Sequence, residues 1–152
     1  MKISDQDRRL LKELQIDADQ PLGALAEKLH MAQSTVWRRL KDLEKAGVVR
    51  SRVALVDPAK VGAKLCVLAR VTLEDHSEAA IEGFSALVRA QPEILECMKI
   101  SGEADYTLKI RAADVEAYEA FQTKVLLRSD YVRAIQSSFV LKEVKSTTAL
   151  PL

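Results

Sequence analysis

Apolar residues recur along this chain with two different periods, and the change between them near residue 60 divides it. Leu22, Leu25, Ala26 and Leu29 fall at i, i+3, i+4 and i+7, one face of a short helix, with Pro21 at a position that helix starts tolerate. His30, Met31 and Ala32 interrupt the pattern. Val36, Leu40 and Leu43 then mark a second helical stripe, and Gln33-Ser34-Thr35 offer hydroxyls expected to cap its first N–H groups. Gly47 stands where a left-handed residue would end that helix. Upstream, Ser4 with Asp7 three residues on reads as a capping box, and Leu10, Leu11 and Leu14 follow at helical spacing. A helix is therefore expected over 4–16, closing a small core beneath the other two, with Asp17-Ala18-Asp19-Gln20-Pro21 as the turn between.

Beyond Gly47 the spacing shortens. Val49, Val53, Leu55 and Val56 predict a wing or short two-stranded hairpin that ends at Asp57-Pro58. The segment DPAKVGA, residues 57–63, marks a domain boundary. From Leu65 the run LCVLARVTL predicts a central strand. Ser77 caps a helix carrying Ile81, Phe84, Leu87 and Val88 on one face, stopping by Pro92. Ile94–Ser101 is a second strand, Gly102-Glu103-Ala104-Asp105 a turn, and Tyr106–Arg111 a third strand. Asp114 caps a helix with Val115, Tyr118, Phe121 and Val125 on one face, and a last strand runs from Val132 to Val144. The order β-α-β-β-α-β is that of a ferredoxin-like domain, with both helices on one side of an antiparallel sheet. The other sheet face needs a cover. With Val67, Val71, Leu108 and Phe139 on the strands, a second copy is the simplest one, so a homodimer is expected.

The expected class is thus α+β: a winged helix-turn-helix domain over 1–56, a connector over 57–63 and a ferredoxin-like domain over 64–152. A helix-turn-helix places its second helix in the major groove. Gln33, Ser34, Thr35, Arg38 and Lys41 are left on the outward side of that helix. From Gln33 to Arg52, Arg38, Arg39, Lys41, Lys45, Arg50 and Arg52 face only Asp42 and Glu44, a local net of +4 in a chain of net +1. Concentrated positive charge is the footprint of phosphate contacts. The DNA-facing set is then Gln33, Ser34, Thr35, Trp37, Arg38, Arg39, Lys41, Arg50 and Arg52. Trp37 is expected first as a partly buried packing residue, with DNA contact as the alternative, and Arg50 and Arg52 are equally readable as solvated edge charges.

Composition narrows the class further. The chain is 48% hydrophobic and 30% charged, ordinary for a globular protein that buries a real core. No apolar run approaches the roughly 20 residues of a membrane span, and MKISDQDRR lacks the apolar stretch of a secretory signal, so a cytoplasmic location is expected. Cys66 and Cys97 are distant from each other and form no CxxC or Cys/His cluster with His30 or His76. Both are expected as buried free thiols, with no metal and no cofactor. Residues 1–60 hold twelve basic and nine acidic side chains and residues 61–152 eleven and thirteen, which suits a DNA-binding head on a body that need not touch DNA. No Ser/His/Asp, Cys/His or paired-carboxylate arrangement appears, so no enzyme is expected.

Taken together, DQDRRLLKELQIDA, LAEKLHMAQSTVWRRLKDLEKAGVV, the turn ISGEADY and the tail VKSTTALPL resemble the Lrp/AsnC, or feast/famine, transcriptional regulators along essentially the whole chain. The resemblance implies a DNA-binding dimer that assembles further, often to an octamer, and binds a small amino acid between dimers near that turn. Carried over by position, the effector site comprises Ser101, Gly102, Glu103, Ala104, Asp105 and Tyr106, with Thr123 and Leu127 on the last helix and Ile135 and Ser137 on the last strand. Gly102 would let a ligand approach the backbone, turn N–H groups would take a carboxylate, and Asp105 or Glu103 an ammonium. A tight hairpin needing Gly and Asp for shape alone stands beside that reading. AQSTVWRRLKDLE, RVALVDPAKVG and STTALPL look most like the branch that senses L-cysteine. Two other readings remain: a DNA-organising protein insensitive to any metabolite, and a tetrapyrrole (sirohaem) decarboxylase of the same architecture.

Overall fold

The computed structural model describes residues 2–152 and separates them into two compact units. The first holds the chain up to Leu55 together with Val144–Leu152, and the second is Val56–Glu143.

Three helices build the first unit: α1 (Asp5–Ile16), α2 (Leu22–Leu29) and α3 (Gln33–Lys45). The capping box forms as expected, Ser4 accepting from the Asp7 N–H while the Asp7 carboxylate accepts from the Ser4 N–H at 3.0 Å. Leu10, Leu11, Leu25, Ala26, Leu29, Val36, Leu40 and Leu43 are the buried core. The interruption after Leu29 is a helix stop made by His30, which adopts the left-handed conformation (φ 54°) and lets the Met31 N–H reach the Ala26 carbonyl at 3.0 Å. Gly47 (φ +70°) ends α3 in the same way, with the Val48 N–H on the Leu43 carbonyl.

Three expectations for this region change. Ala32, not a hydroxyl residue, precedes α3, and Ser34 and Thr35 lie inside the helix, so its first N–H groups have no side-chain cap. The wing hairpin is not formed: residues 50–57 carry no strand, and Val53, Leu55 and Val56 are exposed. An alternating pattern specifies a strand only when a partner supplies the ladder hydrogen bonds, and among the described residues none does. The tail, read from sequence with the second domain, is grouped with the first unit. Gln15 brackets Leu150 there, donating to its carbonyl at 3.2 Å and accepting from its N–H at 2.6 Å, while Leu152 packs against the helical core.

In the second unit the elements run β1 (Leu65–Leu73), α4 (Glu78–Arg89), β2 (Ile94–Lys99), β3 (Tyr106–Ala112), α5 (Val115–Phe121) and β4 (Val132–Phe139). The strands pair antiparallel in the order β2-β3-β1-β4, the ferredoxin-like arrangement. Ser77 and Asp114 cap α4 and α5 as expected. β2 and β4 end earlier than expected, at Lys99 and Phe139. α5 continues into a single π-helical stretch, Gln122–Leu126, and the extra residue brings Leu126 rather than Val125 fully inward. Val115, expected on the buried face, is exposed.

Val67, Ala69, Val71, Leu73, Leu108 and Ile110 form the core with Phe84, Tyr118, Phe121 and Leu126 of the helices. Val67, Val71 and Leu108 therefore face the helices, as does Phe139, whose ring meets Tyr118 edge-on at 5.8 Å. They do not line the open sheet face. That face instead presents Leu68, Arg70, Thr72, Met98, Lys109, Arg111 and Gln136, largely polar and ion-paired through Lys109–Glu96 (3.6 Å) and Arg111–Glu143 (3.1 Å). Cys66 is buried as expected, but Cys97, on the edge strand β2, is exposed.

Candidate nucleic-acid interface and effector cleft

α3 buries Val36, Leu40 and Leu43 and turns Gln33, Ser34, Trp37, Arg38 and Lys41 to solvent. On the helix surface Gln33, Trp37 and Lys41 form one row and Ser34 and Arg38 the next. Gln33 has room because α2 offers a glycine opposite: a Cβ at Gly23 would lie 3.1 Å from Gln33 Nε2. Sequence spacing alone did not mark Gly23. The two residues share a shallow depression of about 490 Å3 at the α2–α3 turn with Ala26, Glu27, His30 and Met31.

The cations of the expected set divide by their partners. Arg38 and Arg50 are exposed and make no ion pair among the described residues. Lys41 and Arg52 both lean on Glu44, at 2.8 and 2.9 Å, and the Lys41 hydrogen bond is foremost in holding the Glu44 carboxyl below its usual range. Arg39 is turned inward, against expectation. Its guanidinium meets the Asp7 carboxylate at 2.9 Å and the Gln6 amide, bracing α3 against α1. Thr35 is half-buried. Trp37, expected as a packing residue, is 53% exposed and outside the core cluster.

Of the effector residues carried over by position, Glu103, Ala104 and Ile135 line one cleft, and others lie apart from it. Tyr106 is buried, its ring 4.9 Å from that of Phe84. Ser137 faces the helices, with its hydroxyl 2.5 Å from the Tyr118 hydroxyl, and Thr123 and Leu127 are exposed on the π-helical turn. Burial pushes the Tyr118 hydroxyl pKa up, the Ser137 bond opposing it. Asp105 is spent on structure: Oδ2 accepts the Leu73 N–H at 2.8 Å and Oδ1 meets His76 Nε2 at 2.7 Å. The Leu73 N–H, then His76, hold its carboxyl below the usual range. Of the two acids expected to meet an ammonium, Glu103 alone remains exposed. His76, just before α4, is thereby brought onto the turn. Gly102 sits at φ +115° with no atom near a would-be Cβ, as the hairpin shape requires.

A small cleft does form beside that turn. About 200 Å3 is lined by Arg70 and Thr72 of β1, Glu103 and Ala104 of the turn, and Ala134, Ile135 and Gln136 of β4. Three carried-over residues, Glu103, Ala104 and Ile135, belong to it; Arg70, Thr72 and Gln136 were missed. The signal was present, a lone cation within the apolar run LCVLARVTL. Arg70 meets the Gln136 side-chain oxygen, a neutral partner, which leaves its charge uncompensated by an acid. At about 200 Å3 the cleft is below the roughly 300–1,000 Å3 of pockets that hold drug-sized molecules, a size that suits a small ligand.

Residues 66–150 match the family model described as the Lrp/AsnC ligand binding domain, and residues 3–50 match a winged helix-turn-helix DNA-binding model. The chain is 32% identical to the glutamate uptake regulatory protein of Zymomonas mobilis, over 99% of this chain and 92% of the relative. It is 34% identical to the DNA-binding transcriptional activator DecR of Escherichia coli, over 96% of each. Among solved structures, the complex of a Neisseria meningitidis transcriptional regulator with L-Met superposes with a TM-score of 0.95 at 39% identity, covering 99% of this chain and 97% of that one. No helix among the described residues is long and apolar enough to cross a membrane.

Proposed function

We propose how this protein works from one premise: the chain belongs to the Lrp/AsnC family of DNA-binding transcriptional regulators, and its second domain is of the amino-acid-binding type. α3 enters the major groove with Gln33, Ser34, Trp37, Arg38 and Lys41 toward the bases, while Arg50 and Arg52 lie along phosphates. The observation that carries this reading is the outward face of α3, which is exposed, basic and free of any core duty.

The second domain senses a small amino acid in the cleft beside the β2–β3 turn. Arg70 takes the carboxylate, Glu103 the ammonium, and Thr72 and Gln136 polar atoms of the side chain; the two opposite charges at one small cleft are what a zwitterion needs. L-Cysteine is the first effector to try, on the resemblance of the helix-turn-helix, connector and tail to the cysteine-sensing branch. The protein acts as a cytoplasmic homodimer, assembling further toward an octamer, and Leu68 and Met98, both exposed on the open sheet face, support pairing with a second copy.

Operator DNA titrated with the full chain, followed by fluorescence anisotropy with and without each of the twenty amino acids, tests both halves. Binding that weakens in Arg38→Ala, together with a response to one amino acid that Arg70→Gln removes, is the expected result. Operator binding indifferent to all twenty leaves an effector-independent DNA-organising protein in place of a sensor.

A further inference from the structure

We propose that Trp37 reads the C5-methyl group of a thymine, and so sets one base of the operator. The inference rests on the reading that α3 occupies the major groove. Trp37 is the chain's only tryptophan and sits in mid-helix, one turn after Gln33 and one turn before Lys41, with Arg38 beside it. Its ring joins neither core cluster and neither aromatic pair among the described residues. The indole, 53% exposed, stands at the centre of a basic face, and Trp, with an apolar body and one polar tip, is enriched where a protein meets a partner.

The chemistry of the groove names its partner. Base edges there present hydrogen-bond donors and acceptors, and the single apolar group among them is the thymine methyl. An indole has one N–H donor and no acceptor, so it cannot make the bidentate contacts by which Arg, Asn or Gln read purines. Its large apolar face instead matches a methyl group. Wedging between base steps belongs to proteins in the minor groove, about 6 Å wide and too narrow for a helix. Arg38 and Lys41 on either side supply the charge complementarity that holds the ring against the base edge.

The experiment selects a binding site from random DNA with the full chain, then replaces each of its thymines in turn by deoxyuridine, which deletes only the methyl. Affinities are measured for the wild type, Trp37→Ala, Trp37→Leu and Arg38→Ala, with thermal melts confirming that each is folded. The wild type should lose roughly fourfold at one thymine per recognised repeat, the worth of one buried methyl group. Trp37→Ala should bind the thymine and uracil sites equally, Trp37→Leu should keep part of the difference, and Arg38→Ala should keep all of it at lower affinity. A selected site with no required thymine, or a methyl effect that survives in Trp37→Ala, overturns the proposal while leaving α3 as the reading helix. Wild-type affinity in both Trp37→Ala and Arg38→Ala overturns the placement of α3 itself.

Discussion

Arg39 Nη1 lies 2.9 Å from Asp7 Oδ1, so a basic residue of α3 is spent on holding that helix to α1. Asp7 is buried and also accepts two bonds from Ser4, which makes it the hub of a cap and an ion pair at once. Asp7→Ala should cost about 1.5–3 kcal/mol, the range for hydrogen bonds to a charged group, read by urea unfolding. Arg39→Ala should weaken DNA binding only as far as it loosens the first unit, without changing base preference.

The same pair predicts acid sensitivity. Burial pushes the Asp7 carboxyl up, but Ser4 and Arg39 together outweigh it and hold the pKa below its ordinary value of 3.8. A depressed folded-state pKa contributes stability that is fully present above the unfolded value and is lost as pH falls through the folded one. Unfolding of the first unit should therefore become easier from about pH 4 downward, and Asp7→Asn should flatten that dependence.

Glu44 draws Lys41 and Arg52 to itself, away from any phosphate. Glu44→Gln should raise operator affinity several-fold and steepen its salt dependence, because two cations are released and one repulsive charge is removed. Anisotropy titrations from low to high salt check this, and an unchanged slope would mean that neither cation reaches the backbone.

At the β2–β3 turn, position 102 separates strain from blocking. Open space surrounds a would-be Cβ there, yet φ is +115°, so Gly102→Val should destabilise the second unit by about 1–3 kcal/mol through the backbone alone. Glu103→Gln, on an exposed side chain, should leave melting unchanged and abolish the ligand-induced shift. That shift is about 2.7 kcal/mol when the amino acid is at 100 times its dissociation constant. A ligand shift that survives in Glu103→Gln removes Glu103 from the cleft.

Ser137→Ala is the companion case. Its hydroxyl bonds Tyr118 on the helix side of the sheet, so the change should cost about 0.5–1.5 kcal/mol in melting experiments and leave the amino-acid response intact.

What could be read from the chain follows the range of each interaction. The caps at Ser4, Ser77 and Asp114 and the stop at Gly47 are local, so spacing of a few residues was enough to place them and the order of elements with them. The wing misled because Val53, Leu55 and Val56 carry a strand's alternation without a partner. Arg39 misled because a basic residue on a helix reads the same whether it meets DNA or Asp7, thirty-two positions away. His76 and Asp105 meet across twenty-nine positions, and Arg70 reaches the cleft only once β4 lies beside β1. At the candidate cleft the turn was legible as a turn, whereas its partners depended on strand register.

The bracket between Gln15 and Leu150 changes the topology of the molecule. The chain leaves its first unit at Leu55 and returns to it at Val144, so both ends of the chain belong to one compact unit. A fragment ending at residue 56 would lack Leu152 and the Gln15–Leu150 bracket, and would hold a weaker grip on its own helices than the full chain does.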